Sequence, residues 1–296
     1  MIAAWLVVML NRFHNRRFRQ PISCLQVTFI PPNSVMHDRS CDADYRCIGG
    51  NRHRTGARFR IKGPSTSPGW PTWGSPYDLG ERNRRHCGTA PILIPCDLEH
   101  PDACDKIAAA LAAEEVEVEF VVNNAGFGLF GYAIELDRAE QLGIIAVNIL
   151  ALTDLSLRFS DSLIRHRGGV LNLGSLAGFL PGPGMAVYYA SKAYVLSFSE
   201  ALRQELAPRG VRVTTLCPGS VATEFQARAG LKPGFEHEIL NVSASDVAQA
   251  GYRGLMANKR AVLPGLGIKL VPFLLRLFPR GFILAAVCRL QLRKRR

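Results

Sequence analysis

The stretch VEVEFVVNNAG, Val116 to Gly126, joins a predicted strand to a polar turn. Its first residues alternate apolar and acidic side chains and then become continuously apolar, a composition rich in β-branched residues that predicts a buried strand. The polar and small residues that follow predict a tight Asn-Ala-Gly turn at the end of this strand.

The regions on either side of this strand alternate between strand and helix patterns. Apolar runs at 91–98, 168–178, 211–219 and 261–265 predict further strands. Helical patterns occupy 101–114, 138–166 and 187–210, the last ended by Pro208 and Gly210. Strands that alternate with long helices predict parallel βαβ units in an α/β fold, a doubly wound parallel sheet with three α/β/α layers.

Three regions differ in composition. Residues 1–90 are rich in Pro, Gly and Arg, follow no regular period, and are expected to be mostly irregular. Residues 91–264 form the predicted α/β domain, and 265–296 form a basic, apolar C-terminal tail. The opening run MIAAWLVVML is too short to span a bilayer and precedes its charges, so no transmembrane helix is predicted.

The net charge of +12 is unevenly distributed. Residues 1–88 hold 14 Lys and Arg against 5 Asp and Glu, so they account for +9 of it. Basic residues interleaved with aromatic ones on a regular element are absent, which argues against a nucleic-acid partner. The eight cysteines include no CxxC pair, which predicts reduced thiols in a cytoplasmic protein and no metal site.

Polar residues collect where the predicted strands end. A parallel sheet binds ligands at the carboxyl edge of its strands, and that edge is expected to hold Asp97, Asn123 to Gly126, Ser175 and the pair Pro218-Gly219. In the helix that follows Ser175, Tyr188 and Lys192 are four residues apart and share one face. Tyr189 points elsewhere.

These motifs, in this order, resemble the short-chain dehydrogenase/reductase family over roughly 91–264. The matching residues are NNAG at 123–126, Asn148, Ser175, YxxxK at 188–192 and PGSVAT at 218–223. The resemblance implies a Rossmann fold and an NAD(P)-dependent oxidoreductase, with Tyr188, Lys192, Ser175 and Asn148 as catalytic residues. The implied cofactor-binding residues are Asp97, Asn123, Ala125, Gly126, Tyr188, Lys192, Pro218, Gly219, Val221 and Thr223.

The residue types suit reduction of a ketone, which needs a hydride on carbon and a proton on oxygen. A free phenol, with a pKa of about 10, exchanges protons poorly at neutral pH, and a neighbouring ammonium favours its ionised form. Tyr188 is therefore the expected general acid/base, with Lys192 lowering its pKa and, by resemblance, binding the nicotinamide ribose. Ser175 would hold the substrate oxygen, and Asn148 a water that links Lys192 to solvent.

Each assignment has a structural alternative. Tyr188 could be a core tyrosine beside a snorkelling Lys192, and Ser175 could form only a turn. Asn148 could face solvent, and Asn123 could simply close its turn. Asp97, which resembles the family's adenine-contacting acid, could equally be the N-cap of the next helix.

The family's TGxxxGxG loop, which cradles the pyrophosphate at a helix N-terminus, is missing from the chain as written. Read one nucleotide further on, codons for 41–52 can encode VTLI followed by TGASxGIG. The hypothesis is that the first βαβ unit is read out of frame from Cys41 to before Pro91; a divergent extension is the alternative. The residue that distinguishes NAD from NADP in the family lies within this region and cannot be identified in the chain as written. The expected cofactor is therefore NAD(P), with NADP only slightly favoured.

The remaining residues suggest a substrate and a location. Phe179, Leu180, Met185 and Phe225 predict a pocket for a hydrophobic alcohol or carbonyl compound, or plain packing. The C-terminal tail could lie at a membrane interface, cap the domain or join a homo-oligomer. The sequence therefore predicts a cytoplasmic protein, and the first option adds a peripheral contact with a membrane. A non-catalytic family-like protein is the main functional alternative; a sugar-nucleotide epimerase would need a larger C-terminal domain.

Overall fold

The computed structural model describes residues 5–12, 23–28, 92, 94–221, 224–230, 242–265 and 267–295. Their strands form a six-stranded sheet in the order β2-β1-β3-β4-β5-β6. The strands are β1 Trp5–Arg12, β2 Ser23–Thr28, β3 Val116–Asn123, β4 Gly169–Leu173, β5 Arg212–Leu216 and β6 Ala261–Val262. Strands β3 to β6 are parallel, as predicted, which brings their carboxyl ends to one edge of the sheet.

Helices connect these strands. They are α1 Ala103–Ala113, α2 Arg138–Ile145, α3 Leu152–Arg158, α4 Ser160–His166, α5 Ala186–Leu206, α6 Glu224–Arg228, α7 Ala244–Met256, α8 Val271–Leu277 and α9 Arg280–Arg295. Helix α5 ends as the sequence predicts, since Pro208 follows it and Gly210 has a φ of +79°. A side-chain cap begins α2, where Asp137 accepts a hydrogen bond of 2.9 Å from the Glu140 backbone N–H.

Two apolar clusters cover the parallel strands, which gives the predicted three layers. The larger cluster packs α1 and the helices from α2 to α5 against the sheet, with Ile107, Leu155 and Val213 essentially inaccessible to solvent. The smaller cluster joins Phe120 and Leu216 to Val247 and Leu255 of α7. Apolar residues on helices and strands are thus buried against each other, the main favourable contribution to folding.

Two antiparallel strands lie within the region that we expected to be irregular. Strand β1 pairs antiparallel with β3, from Leu6 opposite Asn123 to Arg12 opposite Val116, and β2 pairs antiparallel with β1. An exposed edge of β3 would leave a row of unpaired N–H and C=O groups. The apolar run at 5–10 satisfies them, because its β-branched residues suit a pleated strand.

Two predicted elements differ in the structure. The expected strand at 91–98 is not a strand in its described residues, although Ile94, Cys96 and Leu98 are buried. A strand needs a neighbour to pair with, and none of the described strands runs alongside it. The single helix expected over 138–166 is instead divided by a π-helical turn, Ala146–Ala151, and by a break at Phe159.

One helical stretch, 138–158, is long and apolar enough to cross a membrane by length and composition alone. It packs through Ile144, Ala151 and Leu155 against the sheet. The core helix of a soluble domain meets the same criteria, so this stretch is described as part of the core layer.

Candidate active site

Three strand ends bring the predicted site residues together. Strands β3, β4 and β5 are adjacent and parallel, so the loops that follow Asn123, Leu173 and Leu216 lie side by side. The loops are tied directly to each other, because the Leu176 N–H donates a hydrogen bond of 3.0 Å to the Pro218 carbonyl. The first turns of α5 then place Tyr188 and Lys192 against the same edge.

Tyr188 is a partly exposed phenol held between a hydroxyl and an aromatic ring. Its side chain is hydrogen-bonded to Ser175, and its ring centroid lies 5.2 Å from that of Phe225. Burial raises the pKa of Tyr188 to about 12, while the Ser175 hydrogen bond acts in the opposite direction. Tyr188 therefore has a polar neighbour on one side and an aromatic one on the other, and its role stays a prediction.

Lys192 is buried, with only 4% of its surface exposed. Its Nζ donates a hydrogen bond of 2.7 Å to the Leu173 carbonyl at the end of β4 and lies 5.9 Å from the centroid of the Tyr188 ring. Burial lowers the pKa of Lys192 to about 8. An ammonium held inside the protein in this way is not snorkelling to solvent, as the structural alternative required.

The expected lowering of the Tyr188 pKa is not found in this structure. The phenol is less acidic than free tyrosine, because burial penalises the phenolate more than its polar neighbours stabilise it. The geometry explains the weak influence of Lys192. Its Nζ lies towards the ring and is hydrogen-bonded to the Leu173 carbonyl.

Asn148 lies in the π-helical turn and is completely buried, so the solvent-facing alternative is wrong. Its Oδ1 accepts a hydrogen bond of 3.2 Å from the Phe127 N–H, and its Nδ2 donates to the Phe127 carbonyl at 3.1 Å. Nδ2 also lies 2.9 Å from Ser191 Oγ, which donates to the Tyr188 carbonyl. Asn148 therefore fixes the loop after β3 to the helix that carries Tyr188.

Ser175 performs the structural role that was weighed against its catalytic one, and it also contacts Tyr188. Its Oγ accepts a hydrogen bond of 3.1 Å from the Ala177 N–H and so caps the 3₁₀ turn Leu176–Phe179. The same hydroxyl is hydrogen-bonded to the Tyr188 phenol. The turn therefore fixes where this hydroxyl lies, and the two roles are compatible.

Asn123 belongs to a buried polar network beneath the site. Its Nδ2 donates to Asn172 Oδ1 at 2.8 Å and to Ser156 Oγ at 2.9 Å, and Asn172 donates in turn to Ser199. Its side chain thus ties β3 to β4 and α3. Sequence reasoning missed Asn172, Ser156 and Ser199, although a polar residue in the middle of the apolar strand GVLNL was a usable signal.

Two glycines let the loop after β3 approach the helix closely. A Cβ at Gly126 would lie 2.9 Å from Asn148 Oδ1 and 3.4 Å from Lys192 Nζ. A Cβ at Gly128 would lie 2.9 Å from the Tyr188 ring. Both positions therefore favour glycine, and Gly128 was not among the predicted residues. Ala125, beside them, is buried in the larger cluster.

The remaining predicted residues lie around this centre. Asp97 does not cap α1, whose N-cap is Asp102; instead its Oδ1 accepts a hydrogen bond from the Glu99 N–H at 3.0 Å. Pro218 is buried and Gly219 partly exposed, while Val221 packs on the smaller cluster. Thr223 lies outside the described residues.

A nicotinamide dinucleotide fits one end of this arrangement. Among the described residues Lys192 Nζ donates one hydrogen bond, to Leu173, so two of its N–H groups remain for hydroxyl groups of a ligand. Gly126, without a side chain, lets the backbone lie close to the Lys192 ammonium and the Asn148 amide. At the pyrophosphate end, the carboxyl end of β1 lies at the opposite edge of the sheet from Tyr188, because β1 runs antiparallel to β3.

Comparison with known proteins assigns the family. A sequence model described as short chain dehydrogenase matches residues 79–233, just over half of the chain. The chain belongs to the short-chain dehydrogenase family. The resemblance carried by NNAG, Ser175 and YxxxK is thereby confirmed, although the roles of the individual residues stay predictions.

Curated relatives match over part of their length. Sulfoacetaldehyde reductase of Chromohalobacter salexigens is 38% identical over 142 residues, which are 47% of this chain and 56% of that protein. NADPH-dependent 1-acyldihydroxyacetone phosphate reductase of Schizosaccharomyces pombe is 37% identical over 111 residues, 38% of each chain. The chain thus spans about half or less of the length of these family members.

Solved structures of the family share the fold. A short-chain dehydrogenase from Sphingobium yanoikuyae in complex with NADPH superposes with a TM-score of 0.61 at 26% identity. The superposition covers 70% of this chain and 80% of that one. This likeness confirms the α/β three-layer Rossmann architecture that the sequence predicted.

Proposed function

We propose that the protein is an NAD(P)-dependent oxidoreductase that interconverts an alcohol and a carbonyl compound. The observation that carries this proposal is the meeting of the Tyr188 phenol, the Ser175 hydroxyl and the buried Lys192 ammonium at one carboxyl edge. A phenol and a hydroxyl in contact can both hydrogen-bond one substrate oxygen. The cation nearby favours negative charge that develops there.

The bound nicotinamide would supply or accept the hydride. In reduction, Ser175 would hold the carbonyl oxygen, and the Tyr188 phenol would donate a proton to it as hydride reaches the carbon. The phenol's high pKa keeps it protonated at neutral pH and ready to act as the acid. Lys192 would stabilise the phenolate that forms and hydrogen-bond the nicotinamide ribose with its remaining N–H groups.

Asn148 would act through position rather than by touching the substrate. It holds the backbone of Phe127 and, through Ser191, the first turns of α5. We propose in addition that it connects Lys192 to solvent through a water, since its Oδ1 lies on the Gly126 side of the lysine.

Apolar side chains around the phenol support a hydrophobic substrate. The Phe225 ring lies against Tyr188, and Met185 is buried beside Gly128. An aromatic and a thioether at the reacting group favour an apolar alcohol or ketone over a charged one. Phe179 and Leu180 are both partly buried near by, in and after the turn that Ser175 caps.

The cofactor proposed is NAD(P), and the names of two relatives mention its phosphorylated form. The Schizosaccharomyces pombe reductase is named as NADPH-dependent, and the Sphingobium structure is titled as a complex with NADPH. NADP is slightly favoured on these names alone. Both cofactors therefore belong in any assay.

The test is a comparison of Tyr188→Phe with Tyr189→Phe. We expect oxidation of apolar secondary alcohols with NAD or NADP to fall about 10²- to 10⁴-fold in Tyr188→Phe, because its proton donor is lost. Tyr189→Phe is the matched control and should keep most of the activity. Equal turnover in wild type and Tyr188→Phe would refute the assignment.

One observation favours a second candidate, a non-catalytic family member. Strand β1 occupies the position beside β3 in the antiparallel sense, so its carboxyl end lies at the opposite edge from Tyr188. A chain of this kind would lack the phosphate cradle although Tyr188, Ser175 and Lys192 are assembled. Titration with NADPH and NADH separates the two, since a non-catalytic protein would show no saturable binding of either.

A further inference from the structure

The C-terminal segment exposes an apolar stripe that helices normally bury. Leu270, Phe273 and Leu277 are 61%, 63% and 63% exposed, and Leu274 is 46% exposed. These four residues follow the i, i+3, i+4, i+7 spacing of one helix face, which in a globular protein normally lies on the core. The stacked rings of Phe278 and Phe282, each more than half exposed, extend the apolar surface towards α9.

The charged residues of the segment that carries this surface are all basic. Residues 265–296 contain eight Lys and Arg and no Asp or Glu, whereas residues 89–264 hold 14 basic against 19 acidic residues. Lys269, Arg280 and Arg289 are exposed in the structure. An apolar surface on a segment whose charged residues are all basic is complementary to an anionic surface with an apolar interior.

A second copy of the chain fits this surface less well. The usual symmetric dimer places the same patch of both subunits together. Such a contact would bring the basic residues of 265–296 against their own copies, with no acidic residue in the segment to pair with them. Like charges across an interface oppose association.

We propose that the stripe Leu270, Phe273, Leu274, Leu277 and the pair Phe278 and Phe282 lie in the interface of an anionic lipid bilayer. Lys269, Arg280 and Arg289 bind the lipid headgroups. The segment lies on the bilayer and does not span it, because α8 and α9 are 7 and 16 residues long.

The opposite side of α9 docks beside the candidate active site. Gln291 is buried, and its Nε2 donates a hydrogen bond of 3.0 Å to the hydroxyl of Tyr189, whose ring centroid is 6.0 Å from that of Tyr188. Together with the function proposed above, on which this step rests, the contact favours a substrate dissolved in the membrane. Lipid binding itself needs neither cofactor nor substrate.

The experiment is sedimentation of the full chain with vesicles, without cofactor. Vesicles of phosphatidylcholine alone are compared with vesicles that contain about 30% phosphatidylserine. We expect the partition coefficient to be at least about tenfold higher with phosphatidylserine. Equal binding to both vesicles, or none to either, would overturn the proposal and leave the proposed oxidoreductase function untouched.

Two sets of variants test the two halves of the surface. Phe273→Ser with Leu277→Ser removes the stripe, and its control is Ile134→Ser, a substitution at a 96% exposed apolar residue outside the tail. Charge reversal to Glu at Lys269, Arg280 and Arg289 is matched by the same reversal at Arg138, Arg209 and Arg253, all exposed. Both tail variants should lose at least about tenfold in partitioning, and both controls should keep it.

The variants also show whether the apolar surface binds a membrane or a second copy of the protein. If wild type forms a dimer that Phe273→Ser with Leu277→Ser dissociates, and no vesicle binds, the surface is an interface between copies and the proposal is wrong. Circular dichroism monitors folding of each variant. Since the charge-reversal variant changes only exposed residues, it tests the proposal even if the stripe variant does not fold.

Discussion

At the scale of single residues, burial determines the protonation of the candidate site. Tyr188 and Lys192 are both desolvated, which raises the pKa of the phenol and lowers that of the ammonium. Both shifts favour the neutral forms. The sequence correctly paired these two residues through their spacing of four, but it could not show how far each is removed from water.

The shifted pKa of Lys192 predicts a pH dependence of stability. Its pKa falls from 10.5 when unfolded to about 8 when folded, so the unfolded chain binds more protons between these values. The free energy of unfolding of wild type should therefore rise with pH across this window, by about 3 kcal/mol relative to Lys192→Met. Below pH 8 the cost of burying the ammonium is fully present and constant.

Urea unfolding of both proteins at pH 7, 8, 9 and 10 measures this difference. Subtracting the Lys192→Met values removes the groups that both proteins share. A difference that stays flat, or that falls as pH rises, would show that Lys192 is not buried as a charge. Lys106, exposed and paired with Asp102, provides a control position where Lys106→Met should show no such rise.

Several site residues could be predicted because they follow strands, while others could not. Ser175 and the NNAG turn are found where strand patterns end, and the structure brings them together with Tyr188 and Lys192. Asn172 and Gly128 were missed because their roles depend on contacts between distant segments. Asn172 meets Asn123 and Ser199, 49 and 27 residues away, and Gly128 meets Tyr188.

At the scale of elements, the helix that carries Asn148 shows what periodicity misses. Its apolar pattern predicted one regular helix, and the structure inserts a π-helical turn at Ala146–Ala151. A turn of this kind widens the helix locally and often occurs at functional sites. Asn148 lies within the π-helical turn and bonds both backbone groups of Phe127.

Helix α9 makes a polar contact with α5 that can be measured. Tyr189→Phe would leave Gln291 Nε2 without its partner inside a buried contact, which should destabilise the protein by about 1–2 kcal/mol. Gln291→Leu should lower the free energy of unfolding by less. Gln291 Oε1 already lacks a hydrogen-bond partner among the described atoms, and the partly exposed Tyr189 hydroxyl can bond water instead.

A double-mutant cycle isolates this contact. The combined variant Tyr189→Phe with Gln291→Leu should be more stable than the sum of the single changes predicts, because neither polar partner is then left buried alone. Thermal unfolding of the four proteins measures the coupling. Strict additivity would mean that α9 does not dock on α5 through this pair.

At the scale of the whole molecule, the sheet is assembled from two kinds of strand. Strands β3 to β6 and the helices α1 and α5 follow from local patterns and were predicted with their order along the chain, whereas α7, which packs on the other face of the sheet, was not predicted. The antiparallel β1 and β2 were not predicted. Strand β1 pairs with β3 across more than 100 residues, which leaves no periodic signal in the sequence, and β2 pairs with β1 inside the region that was expected to be irregular. The open edge of β3 is what makes this pairing favourable.

The antiparallel pairing of β1 with β3 leads to a prediction about the gene. Read one nucleotide further on, codons for 41–52 can encode a strand and the family's glycine loop, and the family match begins at residue 79. A chain translated in that frame from Cys41 to shortly before Pro91 should place a parallel strand beside β3 and bind NADPH or NADH at least about tenfold more tightly. Helix N-terminal N–H groups would then face the pyrophosphate.

The nucleotide sequence across these codons is the first measurement, and fluorescence titration of both chains with NADPH and NADH is the second. Stop codons in the shifted frame, or the lack of its glycines, would refute the hypothesis before any protein is made. Lys192→Met in the corrected chain serves as the control. The Lys192→Met change should weaken cofactor binding, because the lysine contact with the ribose is lost. Equal binding by the corrected and uncorrected chains would contradict the prediction, since the antiparallel β1 would then be compatible with the cofactor.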